Sequence, residues 1–141
     1  MIDPQQAMAI LAAADLVHSA ERVAAAVNRV AREISERLRD SNPLLLCVMQ
    51  GGVPLAGQLM TRLTFPLEFD YVHVGRYGQA TSGGELAWRV EPSIPVRGRT
   101  VLIVDDILDE GVTLAAIRER LLQLGAEACY TAVLAEKMNG R

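Results

Sequence analysis

Apolar residues recur along this chain with two periods that take turns from one segment to the next. Residues 4–14 are mostly apolar with Pro4 near their start, where a helix tolerates proline. Ser19 precedes a longer segment, 20–39, in which Val23, Val27, Val30, Ile34 and Leu38 recur at steps of four, three, four and four. That spacing predicts an amphipathic helix capped by a serine, with Arg22, Arg29, Arg32, Glu33, Glu36, Arg37 and Arg39 on its solvated side. Ser41-Asn42-Pro43 stops it. Leu44–Met49 is then a continuous apolar run, the pattern of a buried strand. Gln50-Gly51-Gly52 turns the chain into a helix over 53–63 with Pro54 early in it.

Leu67–Val74 alternates apolar and polar residues, which predicts a half-covered strand. Residues 75–86 contain Gly75, Gly78, Gly83 and Gly84 and read as a flexible loop, with a strand around 87–91 pairing back across it. Pro92 and Pro95 precede the turn Arg97-Gly98-Arg99, which feeds a strand over 100–105. A helix over about 113–124 carries Leu114, Ile117, Leu121, Leu122 and Leu124, with Gly125 as its C′ residue, and 128–135 is a last strand. The order β-α-β, loop, β-α-β predicts an α/β fold: one domain, 1–141, with a mostly parallel twisted sheet and helices on both faces.

Composition supports this. Half of the 141 residues are hydrophobic but 4% are aromatic, so the core is aliphatic, as buried parallel strands require. The net charge of −3 argues against general affinity for nucleic acid or anionic membrane. No apolar run approaches the roughly 18 residues of a membrane span. The start of the chain lacks the basic residues of a signal peptide, with Asp3 and Asp15 flanking the alanine-rich run. Cys47 and Cys129 fall in apolar segments and read as buried reduced thiols, so a cytoplasmic location is expected.

The chemistry gathers at Val101–Leu114. Four apolar β-formers lead straight into Asp105 and Asp106, followed by Asp109, Glu110, Gly111 and Thr113 before the helix. In open α/β sheets, ligands bind at the carboxyl ends of the strands. Adjacent acids there suit two tasks: accepting hydrogen bonds from sugar hydroxyls, or holding a divalent cation through its waters. The N–H groups of 110–113 suit a phosphate at the helix amino end. Acids beside a bound anion need a balancing cation, and a sugar phosphate with Mg2+ meets that need. The string Asp105-Asp106-Ile107-Leu108-Asp109 also matches the DDxxD pattern of all-helical prenyl transferases, but those acids sit within a helix, whereas a valine-rich strand precedes these.

Residues 101–114 resemble the phosphoribosyl-diphosphate binding motif of type I phosphoribosyltransferases, and within them the hypoxanthine-guanine branch. The resemblance implies that Asp105 and Asp106 bind the ribose hydroxyls and, indirectly through water or those hydroxyls, Mg2+. It implies that Asp109 is the base at purine N7, and that Glu110, Gly111, Val112 and Thr113 bind the 5′-phosphate. Gln50 and Gly51 stand in the pyrophosphate loop, where a non-proline cis peptide is common and Gln50–Gly51 is the candidate. Arg76-Tyr77-Gly78 resembles the start of the catalytic lid, with Arg76 and Tyr77 on pyrophosphate, and Lys137 occupies the position that donates to a purine 6-oxo group. Trp88 reads as packing, and His18 and His73 show no metal spacing.

Glu110, Val112 and Gln50 depart from the family pattern. The resemblance implies a further segment past the lysine, which stacks an aromatic ring on the purine and supplies another metal-binding acid; the expectation for the sequence ending at Arg141 is a single domain lacking that segment. The implied activity is Mg-dependent purine salvage: transfer of the phosphoribosyl group to hypoxanthine or guanine, giving IMP or GMP and pyrophosphate, in a homodimer or homotetramer. The alternatives are an RNA-binding regulator like the pyrimidine-operon attenuator, a relative acting on xanthine or uracil, and a non-catalytic nucleotide-binding remnant.

Overall fold

A computed structural model describes residues 3–13, 19–76, 86–108 and 112–136. The predicted Asp109, Glu110, Gly111, Tyr77 and Lys137, together with His18, lie outside the described residues, as do the side chains of Arg76 and Val112. The elements in chain order are α1 (Pro4–Ala13), α2 (Ala20–Leu38), β1 (Leu44–Met49), α3 (Val53–Met60), β2 (Glu68–Arg76), β3 (Leu86–Val90), β4 (Thr100–Val104), β5 (Ile107–Leu108), α4 (Val112–Gln123), β6 (Ala128–Ala132) and β7 (Ala135–Glu136).

The main sheet has the order β3-β2-β1-β4-β6, parallel throughout except for β3, which pairs antiparallel with β2. Because successive strand residues face opposite sides, the sheet splits the core in two. Leu45, Cys47, Leu102 and Val104 pack beneath α2 and α3, through Val27, Ile34, Leu55 and Leu59. Leu44, Leu46, Val101 and Ile103 face α4, through Leu114, Ile117 and Leu121. Each of these wholly buried aliphatic side chains stabilises the fold by about 2 kcal/mol. Trp88 packs at the margin of the second cluster, and both cysteines are buried and free, as expected.

The ends of the helices follow the predicted chemistry. The Ser19 side chain accepts the Arg22 N–H at 3.2 Å and caps α2. Gly125, at φ +101°, closes α4, with the Ala126 N–H donating to Leu121 O and the Gly125 N–H to Leu122 O. Asp3 and Gln6 exchange hydrogen bonds at 2.8 and 3.0 Å across the start of α1, yet none of that apolar helix is buried. No helix among the described residues is long and apolar enough to cross a membrane.

Two expectations need correction. The strand expected over 128–135 ends at Ala132 and resumes as β7, which pairs in parallel with β5, a strand too short to leave a periodic signal. Both chains kink together here: the Asp105 N–H donates to Ala132 O and the Leu134 N–H to Asp106 O, so pairing continues through the bend. The cis peptide is Met49–Gln50, one bond earlier than Gln50–Gly51, because the chain reverses at the last residue of β1. β2 is half-covered, as expected: Asp70 and Val72 are buried, while Phe69 and Tyr71 are 43% and 42% exposed.

Candidate active site

β1 leads through α3 to β2 on one side, and β4 leads through α4 to β6 on the other. The sheet order therefore reverses between β1 and β4, and the crevice outside their carboxyl ends is where such a fold binds ligands. The loop after β1 and the acids after β4 meet there. A Cβ placed on Gly51 would lie 2.9 Å from the Asp106 carboxyl carbon, and one on Gly52 would lie 2.4 Å from Val104 O. Glycine is needed at both positions for close approach: Gly52 seats the loop on the end of β4, and Gly51 leaves room for the Asp106 carboxylate. Two motifs far apart in sequence thus form one surface.

Inside the loop, the Gly52 N–H donates to Val48 O at 2.8 Å and the Val53 N–H to Gln50 O at 3.1 Å. Those donors hold the turn.

Asp105 is half-buried and Asp106 exposed. The Asp106 N–H donates to the Asp105 carboxylate at 2.8 Å. Burial pushes the Asp105 carboxyl up to about 6; the Asp106 N–H opposes that rise, and the neighbouring Asp106 carboxylate adds to it. The same burial raises the Cys47 thiol, with the Asp105 charge as a smaller contribution. A half-buried acid beside a second acid favours a bound cation or hydroxyl donors. The pair suits Mg2+, which retains several waters and takes few protein carboxylates. Thr113 stands in the first turn of α4, and Val112 begins that helix, so the amino end of α4 follows directly on the acidic segment.

Of the other predicted residues, Arg76 ends β2 at the same edge of the sheet, three residues beyond the His73–Met49 pairing. The β5–β7 ladder ends on the pair Leu108 and Glu136, the residues immediately before Asp109 and Lys137. The groove of about 480 Å³ between α2 and β6, lined by Ile34, Arg37, Arg118, Cys129 and Tyr130 among others, does not include the acids. Sequence reasoning missed Asp70, buried on β2, whose carboxylate accepts N–H bonds from Tyr71, Ser93 and Ile94. Pro92 and Pro95 around that turn were the available signal for a strap needing an acceptor.

Residues 13–141 match the family model described as the phosphoribosyl transferase domain. The chain is 29% identical over 127 residues to the hypoxanthine-guanine phosphoribosyltransferase of Streptococcus thermophilus, covering 89% of this chain and 71% of that protein. It is 31% identical over 124 residues to the Bacillus subtilis protein of the same name, covering 87% and 69%. Among solved structures, a hypoxanthine-guanine-xanthine phosphoribosyltransferase superposes with a TM-score of 0.80 at 25% identity, over 90% of this chain and 72% of that one.

Proposed function

The chain belongs to the phosphoribosyl transferase domain family, and from that premise we propose that it transfers the phosphoribosyl group of phosphoribosyl diphosphate to a 6-oxopurine, hypoxanthine or guanine. The observation that carries this reading is the meeting of the Asp106 carboxylate with Gly51 at the point where the sheet order reverses. It supports the reading because a sugar bearing a diphosphate needs an acid for its hydroxyls close to a loop that can take its anion.

In this reading Asp105 and Asp106 accept hydrogen bonds from the ribose hydroxyls. Glu110, Gly111, Val112 and Thr113 receive the 5′-phosphate at the amino end of α4, where backbone N–H groups lack helical partners. Gln50 and Gly51, with Arg76 and Tyr77, hold the pyrophosphate. Lys137 donates to the 6-oxo oxygen, and because an ammonium only donates, adenine is rejected. As the C1′–oxygen bond to pyrophosphate breaks and the purine nitrogen bonds to C1′, Asp109 holds the proton at N7. Asp105 and Asp106 would hold Mg2+ through water and the ribose hydroxyls, and the ion would supply charge neutralisation at the pyrophosphate. The same reading gives a cytoplasmic protein that works as a homodimer or homotetramer.

The test is turnover of hypoxanthine, guanine, xanthine, adenine and uracil with phosphoribosyl diphosphate and Mg2+, using wild type and Asp109→Asn. Turnover of 6-oxopurines, falling at least about 100-fold in the variant, is expected. Uracil as the preferred base, or full rate from the variant, would sink the reading or the role of Asp109 respectively.

A further inference from the structure

β3 carries a bulge where it pairs with β2. Val90 stands opposite His73 and Trp88 opposite Val74, so Arg89 is an extra residue with no partner across the ladder. In a regular strand Val90 and Trp88 would share a face. Here they take opposite faces, with Trp88 and Val74 packed against the core cluster beneath α4. Bulges of this kind re-aim a side chain, and they are frequent beside active sites. The Arg89 guanidinium lies over Gly75: a Cβ there would fall 3.2 Å from Arg89 Nε and 3.3 Å from Nη2. Gly75 has no positive φ, so its use is the missing side chain, which leaves a lane for the arginine. Among the described residues no carboxylate pairs with Arg89, which is exposed.

That guanidinium sits at the carboxyl edge of the sheet, on the face that carries α3. Cys47 pairs with Tyr71 and Met49 with His73, and α3 packs on the Cys47 side of β1. Gly75 continues the same side of β2. It lies two residues past His73, about 6.6 Å further along, and one strand, about 4.8 Å, across from Met49. From Met49 the chain runs through Gln50-Gly51-Gly52 into α3 on that face. Since β1 stands between β2 and β4, the loop has the Asp106 carboxylate on one flank and the Arg89 guanidinium on the other. Pyrophosphate carries more negative charge than one divalent cation offsets, Gln50 brings no charge to the loop, and Asp105 and Asp106 add negative charge beside it. A planar guanidinium free of acid partners can offer phosphate oxygens two parallel N–H bonds. We infer that Arg89 is a further binding residue for the diphosphate, reaching it from the β2 side along the lane that Gly75 leaves open. This rests on the reading of Gln50 and Gly51 as pyrophosphate ligands.

The experiment is calorimetry of pyrophosphate binding with Mg2+, together with steady-state kinetics, on wild type, Arg89→Met, Arg89→Lys, Gly75→Ala and a control. The control is Arg120→Met, at an exposed residue in the last turn of α4. Arg89→Met is expected to weaken pyrophosphate binding and raise the KM for phosphoribosyl diphosphate at least about tenfold. The KM for the purine and the Tm should stay as in wild type. Arg89→Lys keeps the charge without the fork and should recover part of the loss. Gly75→Ala keeps Arg89, but its methyl group must displace the guanidinium, so the same two quantities should shift the same way by less. Normal pyrophosphate binding by Arg89→Met, an equal loss in Arg120→Met, or a loss matched by a fall in Tm overturns the role. If Arg89→Met does not fold, wild-type binding by both the lysine and the alanine variants overturns it. Turnover of no base, with pyrophosphate bound by wild type and released by Arg89→Met, would sink the proposed reaction and keep Arg89 as an anion ligand. Full turnover with every variant unaffected would sink Arg89 alone.

Discussion

Asp70 lies 6% exposed in the middle of β2, and the N–H groups of Tyr71, Ser93 and Ile94 donate to its carboxylate at 2.8, 2.7 and 2.8 Å. Asp105, just past the end of β4, is less buried. Among the described residues its carboxylate receives the N–H of Asp106 and stands beside a second carboxylate. The deeper acid is fully served by the fold and pins the strap after β3 onto β2. The shallower one is underserved. A charge surrounded by its own donors is architecture, whereas a charge left to be completed by something else marks a site.

Gly52→Ala is expected to break this contrast altogether, because it acts on both sides of it. Its Cβ would fall 2.4 Å from Val104 O, and a backbone carbonyl cannot step aside as a flexible side chain can. Loss of about 3 kcal/mol or more in a urea melt, together with collapse of kcat/KM, is the expected result. Asp70→Ala should separate the two properties. Stranding the Ser93 and Ile94 N–H groups costs about 3 kcal/mol of unfolding free energy, while kcat/KM of the folded enzyme stays within about twofold. A loss of activity as large as that of the site variants would abolish the distinction.

Asp106→Ala should do the reverse. In the proposed reading it removes charge-assisted hydrogen bonds to the substrate, so kcat/KM should fall by about 10- to 100-fold, a larger effect than any change in the melt. The smallest effect sharpens the comparison most. The Asp105 carboxyl titrates near 6 when folded, against about 3.9 in an unfolded chain. The folded protein therefore holds that proton more tightly. The stability this confers is complete below about pH 4 and is lost as the pH rises through 6. Asp105→Asn should flatten that slope and leave the ligand-free protein more stable than wild type at neutral pH, by about 1 kcal/mol once solvent screening is allowed for. Melts across this range that are parallel for the two proteins would show that Asp105 is as well satisfied as Asp70.

The parts of the molecule legible in sequence are those governed by short-range rules. Leu44–Met49 is a strand at its predicted bounds, Ser19 caps α2, Gly125 closes α4, and the acids of 105–106 leave a buried strand. What escaped depends on partners distant in the chain. Alternation along 67–74 predicts a half-covered strand without saying which side is covered, and the covered side proved to be that of Asp70 and Val72. Nothing local to Asp70 foretells Ser93 and Ile94. The purpose of the two loop glycines was likewise visible only in part. A sharp turn was readable at Gly51 and Gly52, but not that Val104 O and the Asp106 carboxylate would occupy the space of the missing side chains.

The two-rung ladder of Ile107–Leu108 with Ala135–Glu136 has a further consequence. It acts as a ruler. A slip of one residue would shift β7 against β5 by about 3.3 Å and turn its side chains to the other face, so the proposed roles of Asp109 and Lys137, the residues that follow, depend on that register. Side-chain substitution around the base can then retune the acceptor gradually, whereas an insertion or deletion at 133–136 would misalign the two in a single step.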